Sequence, residues 1–280
     1  MTMNDHLHSR IRGALFGCAV GDALGSTYEG ARRDEMRTVE MRGGGQFNLK
    51  KGDVTDDTLM MLALAETYCE TGKFDRDVFL DKVILTLRKD DTTFGRTTRT
   101  LAALLEQGCT PNDAAYAFHV ICGSRTNGSI MRTIPIGLVM RDDIEKTAHK
   151  VSSFTHYDVE AGDCCAIISK AAAGLVAGLS KSEILEEIPE KYFTEELCPS
   201  IDPLDTIRCA LSCFRDGNGY DDVIRRACVL GGDTDTNACI AGGLAGILWG
   251  VPEKWIDALL LKDRITEVAE RLSDRIQKAV

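Results

Sequence analysis

The stretch that decides the fold runs from Gly231 to Gly250 and reads GGDTDTNACIAGGLAGILWG. It opens with acids and hydroxyls and continues as an apolar pattern typical of a helix. Gly242, Gly243 and Gly246 remove side chains from that helix, which permits another helix to pack closely against it. We expect this helix to bring its acidic start against the other acidic cluster of the sequence, Thr55-Asp56-Asp57-Thr58.

Helical patterns also dominate the rest of the sequence. Apolar and small residues recur three and four positions apart in 59–66, 100–105 and 166–179, whereas strand patterns are scarce. The segments 42–52 and 188–203 have the glycine or proline content of loops, but neither is long enough for a linker. These patterns predict an all-α fold of roughly a dozen helices in a single compact domain covering residues 1–280.

Composition excludes several functional classes. The 280 residues carry 33 Lys+Arg against 43 Asp+Glu, and 33 − 43 = −10, a net charge that repels nucleic acid. Asp22 interrupts the apolar stretch 14–24, so no membrane helix or signal peptide is expected. Eleven cysteines without a C-x-x-C pair are typical of a reduced, cytoplasmic protein. We expect a monomer with no nucleic-acid-binding patch.

Two acidic clusters are the most informative segments, Thr55-Asp56-Asp57-Thr58 and 231–237. Each precedes an apolar helical run, so simple helix capping is one interpretation. Several adjacent carboxylates repel one another unless a cation neutralises them, which favours a metal site built from both clusters. Their ligands are oxygens only, which suit Mg²⁺ or Mn²⁺ rather than zinc.

Three further polar segments are candidates for ligand binding. Gly123–Arg132 is a glycine-bearing loop whose N–H groups and two arginines could cradle a phosphate, although such a composition also makes plain turns. Gly21–Glu29 carries two acids, with a glycine helix cap as the alternative. Thr155-His156 stands before a helix, where a histidine is more often a capping or surface residue. Arg96 and Arg99, three residues apart, could present one basic face to an anionic ligand, but a solvated helix face is the favoured interpretation.

Taken in order, these segments identify a family. Gly21-Asp22-Ala23-Leu24-Gly25 with Glu29, Thr55-Asp56-Asp57-Thr58, Asn127-Gly128-Ser129-x-Met131-Arg132, Thr155-His156 and Gly231–Asn237 resemble the motifs of the ADP-ribosylglycohydrolases. The resemblance covers residues 11–250. It implies an all-α fold with two divalent ions, Mg²⁺ or Mn²⁺, at a central dimetal site, and an enzyme that removes ADP-ribose from modified side chains.

The resemblance also implies roles for individual residues. The predicted metal ligands are Thr55, Asp56, Asp57, Asp233, Asp235 and Thr236. The predicted catalytic residues are Glu29, Asp56 and Asp235. The predicted substrate-binding residues are Asp22, Gly123, Ser124, Thr126, Asn127, Gly128, Ser129, Met131 and His156.

The expected activity is hydrolysis of an N-glycosidic bond between ADP-ribose and a protein arginine. The alternatives are an O-linked substrate, on serine or on a small molecule, and a crystallin-like relative that binds ADP-ribose without turnover. We hypothesise that Glu29 activates water or protonates the leaving group, as in glycoside hydrolysis. Thr93-Phe94-Gly95 departs from the Asp-Ile-Gly of nitrogenase-regulating members, although Asp91 is only two residues away.

Overall fold

The computed structural model describes residues 3–34 and 37–279, and within those ranges the only strand-like pairing is an isolated bridge between Gly44 and Leu49. The prediction of an all-α fold is confirmed. The helices, numbered in chain order, are α1 (Met3–Gly25), α2 (Asp56–Thr71), α3 (Arg76–Lys89), α4 (Arg96–Glu106), α5 (Pro111–Cys122), α6 (Ile134–Val139), α7 (Ile144–Ser153), α8 (Val159–Ala177), α9 (Lys181–Glu187), α10 (Pro203–Asp216), α11 (Tyr220–Leu230), α12 (Thr234–Trp249), α13 (Glu253–Ile256) and α14 (Lys262–Ala279).

Helices α1 and α12 form the centre of the fold and pack antiparallel with almost no side chain between them. A Cβ atom added to any of four glycines of α1 would overlap the backbone of α12. The contacts repeat every four residues and pair Gly13 with Gly246, Gly17 with Gly242, Gly21 with Ala238, and Gly25 with Thr234. Side chains four apart lie on one helix face, so each helix presents a smooth stripe to the other. This contact places the end of α1 against the start of α12.

Asp22, near the end of α1, holds the start of α2 beside the contact between α1 and α12 by hydrogen bonds. This carboxylate is fully buried and accepts hydrogen bonds from the backbone N–H and hydroxyl of both Thr55 and Thr58, the shortest being 2.6 Å from the Thr58 hydroxyl. Thr55 is the N-cap of α2 and accepts from the Asp57 N–H at 3.2 Å. A buried carboxylate therefore stabilises the positive end of the α2 dipole and fixes it beside α12.

The remaining helices surround this pair. Most of their buried apolar side chains belong to one hydrophobic cluster that includes residues from α1 to α14. Seven of the eleven cysteines are buried, where a free cysteine packs as a small apolar side chain. Of the helices in the described ranges, none has the combined length and apolarity of a membrane span.

Candidate active site

A cavity of about 380 Å³ opens where the starts of α2 and α12 meet the loop that follows α5. One end of it, which we call the acid end, is lined by five carboxylates: Glu29, Asp56, Asp57, Asp233 and Asp235. A larger depression of about 890 Å³ lies on the surface between α7 and α8, but its lining mixes lysines with acids and includes none of the predicted site residues. The smaller cavity is therefore the candidate site.

Three carboxylates of the acid end converge. Oxygens of Glu29, Asp233 and Asp235 all lie within 4.8 Å of one another. One Glu29 oxygen accepts the Thr234 N–H at 2.8 Å, at the first turn of α12. Burial raises the pKa of Glu29 to about 10, and the negative charges of Asp235 and Asp233 add to that effect.

The other two acids come from the first turn of α2. Burial raises the pKa of Asp56 to about 8, with Asp235 as the next cause, and burial likewise holds the pKa of Asp57 well above its usual range. Asp57 Oδ1 is buried and has no hydrogen-bond partner. No lysine or arginine in the described ranges forms an ion pair with an acid of this end. Carboxylates crowded without a cationic side chain, with a free buried oxygen, fit a divalent ion.

The remaining predicted ligands occupy different positions. Thr236 lines the cavity, whereas Thr55 is fully buried behind it and gives its hydroxyl proton to Asp22 at 2.9 Å. The side-chain amide of Asn127 donates to Asp233 and, at 2.9 Å, to the Thr206 hydroxyl. Asn127 lines the cavity and fixes the orientation of one of its acids.

A second part of the lining, which we call the donor wall, consists of Thr126, Gly128 and His156. His156 is 2% exposed, and its Nε2 lies 2.8 Å from the Thr126 hydroxyl. Burial lowers the pKa of His156 to about 3, with the charge of Arg132 as the second cause, so the ring is neutral. Gly128 packs on that ring, because a Cβ atom added to it would lie 3.0 Å from Cε1 of His156.

The structure does not bring every predicted substrate-binding residue to the cavity. Gly123, Thr126, Asn127, Gly128, Met131 and His156 line it, and Asp22, Ser124 and Ser129 do not. These last three residues are buried, and each is hydrogen-bonded within the protein. The Asp22 carboxylate accepts from Thr58 of α2, the Ser124 hydroxyl lies 2.8 Å from His119, and the Ser129 hydroxyl lies 2.9 Å from that of Ser152. Their geometry is that of groups that hold the loop and helix ends in place.

The expectation that two arginines of the loop would cradle a phosphate is wrong. Arg125 points outward and binds Asp202 and Glu160, each with a shortest distance of 2.6 Å. Arg132 is fully buried and donates to the Val151 carbonyl and the Thr155 hydroxyl. The arginine that lines the cavity is Arg96, at the start of α4, with its guanidinium 5.9 Å from the ring centroid of Phe118.

Sequence reasoning missed several residues of the lining. They are Phe47, Gly95, Thr97, Thr98, Phe118, Cys122 and Ile201. Thr93, noted as a departure, also lines the cavity and hydrogen-bonds Asp56, while Asp91 lies outside and faces Arg99 at 3.8 Å. The polar residues of 93–98 were a signal in the sequence for this part of the lining. Single apolar residues such as Ile201 give no such signal.

The chain is similar to known proteins over most of its length. A sequence model described as ADP-ribosylglycohydrolase matches residues 3–279. The chain is 30% identical to the ADP-ribosylarginine hydrolase Tri1 of Serratia proteamaculans, covering 94% of this chain and 78% of that protein. It is 28% identical to the ADP-ribosyl-[dinitrogen reductase] glycohydrolase of Rhodospirillum rubrum, covering 91% and 92%.

A solved structure with a description similar to those of these relatives has the same fold. It is titled ADP-ribosylglycohydrolase-related protein complex and superposes with a TM-score of 0.84 at 27% identity, covering 97% of this chain and 99% of that one. The likeness therefore extends over nearly the whole fold and includes both sides of the cavity.

Proposed function

The chain belongs to the ADP-ribosylglycohydrolase family, and from that premise we propose that it hydrolyses the N-glycosidic bond between ADP-ribose and a protein arginine. Membership makes it a hydrolase of glycosidic ADP-ribose bonds, and the arginine linkage is supported by the relatives named for ADP-ribosylarginine. One observation carries the proposal: a single cavity is lined by five carboxylates, by the hydrogen-bonding groups of Thr126 and His156, and by Arg96. Such a cavity suits a substrate with an anionic part, which the donors and the arginine can bind, and with a bond that is cleaved near the carboxylates.

We propose that the acid end binds two divalent ions, Mg²⁺ or Mn²⁺. The residues offered for this are those predicted from the sequence: Thr55, Asp56, Asp57, Asp233, Asp235 and Thr236. Support comes from the oxygen-only donor set and from the unpartnered Oδ1 of Asp57. Bound ions would supply orientation of the ribose hydroxyls and polarisation of water or of the glycosidic bond.

Glu29 is the proposed proton carrier. Glu29 is partly exposed and lines the cavity, and one carboxyl oxygen is held by the Thr234 N–H. A proton on this carboxyl group would be available to the departing nitrogen of arginine. After the bond breaks, the ionised carboxylate can take a proton from the attacking water, which returns Glu29 to its starting form.

A release assay tests this function. The full chain is incubated with an ADP-ribosylated arginine peptide and with an ADP-ribosylated serine peptide, first with Mg²⁺ and then with EDTA, and free ADP-ribose is measured. We expect release from the arginine peptide only with Mg²⁺. Release from serine alone would overturn the arginine assignment in favour of the O-linked alternative.

The non-catalytic alternative gives a different result in the same assay. A protein that only binds ADP-ribose would bind the free compound in calorimetry but release none from either peptide. A double variant, Asp56→Asn with Asp235→Asn, is the matched control for contaminating hydrolases, because it keeps the shape of both side chains and removes the charge of two proposed metal ligands. Equal release by wild type and this double variant would show that the activity is not that of this site.

A further inference from the structure

A chain of hydrogen bonds connects the buried Arg132 to the cavity. One terminal nitrogen of Arg132 donates to the Thr155 hydroxyl at 2.9 Å. That hydroxyl lies 2.6 Å from Nδ1 of His156, and Nε2 of the same ring lies 2.8 Å from the hydroxyl of Thr126. Thr126 is part of the cavity lining, so the chain ends at the site.

Arg132 determines the direction of every bond in this chain. A guanidinium has donors only, so Thr155 must accept from it. The proton of the Thr155 hydroxyl then goes to Nδ1 of His156, the other atom within hydrogen-bond distance of that oxygen. Because a neutral ring carries one proton, it resides on Nε2 and is donated to Thr126.

The direction is maintained by burial. Arg132 and Thr155 are fully buried and His156 is 2% exposed, so water does not compete for these groups. The same arginine donates to the Val151 carbonyl at 2.6 Å and to the Gly128 carbonyl at 3.3 Å, and it lies 5.4 Å from the ring centroid of Phe79. These contacts leave the guanidinium one orientation.

We propose that Arg132, Thr155 and His156 are positioning residues that make Thr126 a hydrogen-bond donor toward the cavity, where it binds a phosphate oxygen of the ADP-ribosyl group. With its oxygen accepting from His156, Thr126 has its own proton left to donate into the cavity. A donor matches an anionic phosphate oxygen and disfavours a ligand with a donor at that place. The inference rests on the proposed function for the identity of the ligand.

Burial of the ring provides a second reason for this arrangement. The lowered pKa of His156 keeps it neutral through the physiological range, so the polarity of the chain does not change with pH. A charged ring would donate from both nitrogens and would break the bond from Thr155. The histidine therefore transmits orientation and does not act as an acid.

The experiment combines nitrogen NMR of His156 with binding of ADP-ribose to the full chain in the presence of Mg²⁺. We expect the Nε2–H tautomer in the wild type from pH 5 to pH 8. Thr126→Val should weaken ADP-ribose binding about ten-fold, because it removes one hydrogen bond to a charged group. Thr126→Ser keeps the hydroxyl and should bind within about two-fold of the wild type.

Steady-state kinetics separates positioning from general damage. Thr126→Val should raise KM and leave kcat nearly unchanged, since the contact to phosphate is the same in substrate and transition state. Thr155→Val should mix the two tautomers of His156, and Thr155→Ser should restore the Nε2–H form. Thr266→Val, on α14 and distant from the cavity, is the matched control and should change neither measurement.

Each result bears on the inference. An Nδ1–H ring in the wild type would overturn the direction of the chain, and unchanged ADP-ribose binding by Thr126→Val would overturn the donor role. If the wild type binds no ADP-ribose, the proposed function fails and so does the ligand named here. The tautomer of His156 still decides the direction of the hydrogen bonds in that case, so the two failures are distinguishable.

Discussion

The two sides of the cavity satisfy their polar groups in opposite ways. At the acid end, five carboxylates line one cavity, burial raises the pKa of Glu29, Asp56 and Asp57, and Asp57 Oδ1 has no hydrogen-bond partner. Within the described ranges, no lysine or arginine forms an ion pair with these acids. At the donor wall, Thr126 and His156 have protein partners, and a buried arginine orders them. The acid end therefore needs something from solution to be complete, while the donor wall is already ordered.

This contrast explains how the two regions divide the work. Groups that lack partners in the protein gain most from a bound cation, so the acid end is where metal and proton chemistry is concentrated. Groups already held by hydrogen bonds lose little freedom when a ligand binds, which makes the donor wall a template for recognition. Changes to the first region should therefore affect turnover, and changes to the second should affect affinity.

The largest effect is expected at the acid end. Asp56→Asn removes a charge that the proposed ions need, so release of ADP-ribose should fall about a thousand-fold. Binding of Mn²⁺, measured by calorimetry, should be lost, and circular dichroism should show an intact helical fold. Asp91→Asn, an exposed acid outside the cavity, is the control. Full activity in Asp56→Asn would remove this residue from the site.

A substitution that disrupts the contact between α1 and α12 should affect the acid end and leave the donor wall unchanged. Gly17→Val places a branched side chain where a single Cβ atom already overlaps the Gly242 carbonyl, which should cost about 3 kcal/mol of unfolding free energy. Because α1 and α12 support the acid end, Mn²⁺ binding should weaken while the His156 tautomer persists. Gly95→Ala has no atom within 4 Å of the added Cβ and should cost less than about 1 kcal/mol. Similar urea midpoints for both variants would contradict the close packing.

Glu29 distinguishes proton transfer from cation binding within the acid end. Glu29→Gln should lower kcat about a hundred-fold, since a general acid or base contributes on that scale. Its Mn²⁺ affinity should fall far less than that of Asp56→Asn. Parallel single-turnover assays and calorimetry measure the two quantities. A normal rate in the variant would show that another group carries the proton.

The burial of His156 in the donor wall should make the free energy of unfolding depend on pH in a known direction. Folding favours neutral His156, whose pKa is about 3 in the protein against the ordinary 6.5, so its contribution is fully present above pH 6.5 and is lost as the pH falls below that value. Between pH 7 and pH 5 this amounts to about 2 kcal/mol. His156→Gln should show a correspondingly smaller loss in urea unfolding with Mg²⁺ present. Equal losses would mean that the ring is protonated in the folded protein.

The smallest effect is expected outside the cavity. Arg125 joins Asp202 and Glu160, but its side chain is 43% exposed, and exposed ion pairs contribute less than about 1 kcal/mol. Arg125→Ala should therefore change KM by no more than about three-fold. A loss as large as that of Thr126→Val would mean that Arg125 contacts the ligand after all.

The same contrast shows what the sequence could and could not predict. The acid end was predictable because its residues come in short runs, Asp56-Asp57 and Asp233-Thr234-Asp235, at the starts of apolar helices. The glycines of α12 correctly indicated a close helix contact. Their partners on α1 are glycines at every fourth position from Gly13 to Gly25. This spacing is visible in the sequence, but its meaning is clear only when the helix that packs against it is known.

The donor wall was only partly predictable, and for a physical reason. Thr126 and His156 stood out as polar residues in glycine-bearing or helix-start segments. Nothing in the local sequence reveals that Arg132 faces inward and Arg125 outward, because the groups that receive Arg132 lie 19 and 23 residues further along, at Val151 and Thr155. Spacing within a motif does not encode partners supplied by another part of the chain.

The stripe of close contacts between α1 and α12 also constrains how the molecule is made. Gly13 meets Gly246, so more than 200 residues must leave the ribosome after α1 before its partner exists. At roughly 5–20 residues per second, that interval is on the order of ten seconds or more. During it α1 must remain without its native partner, and such non-local pairing slows folding. The earliest helix in the chain is thus among the last to reach its final place.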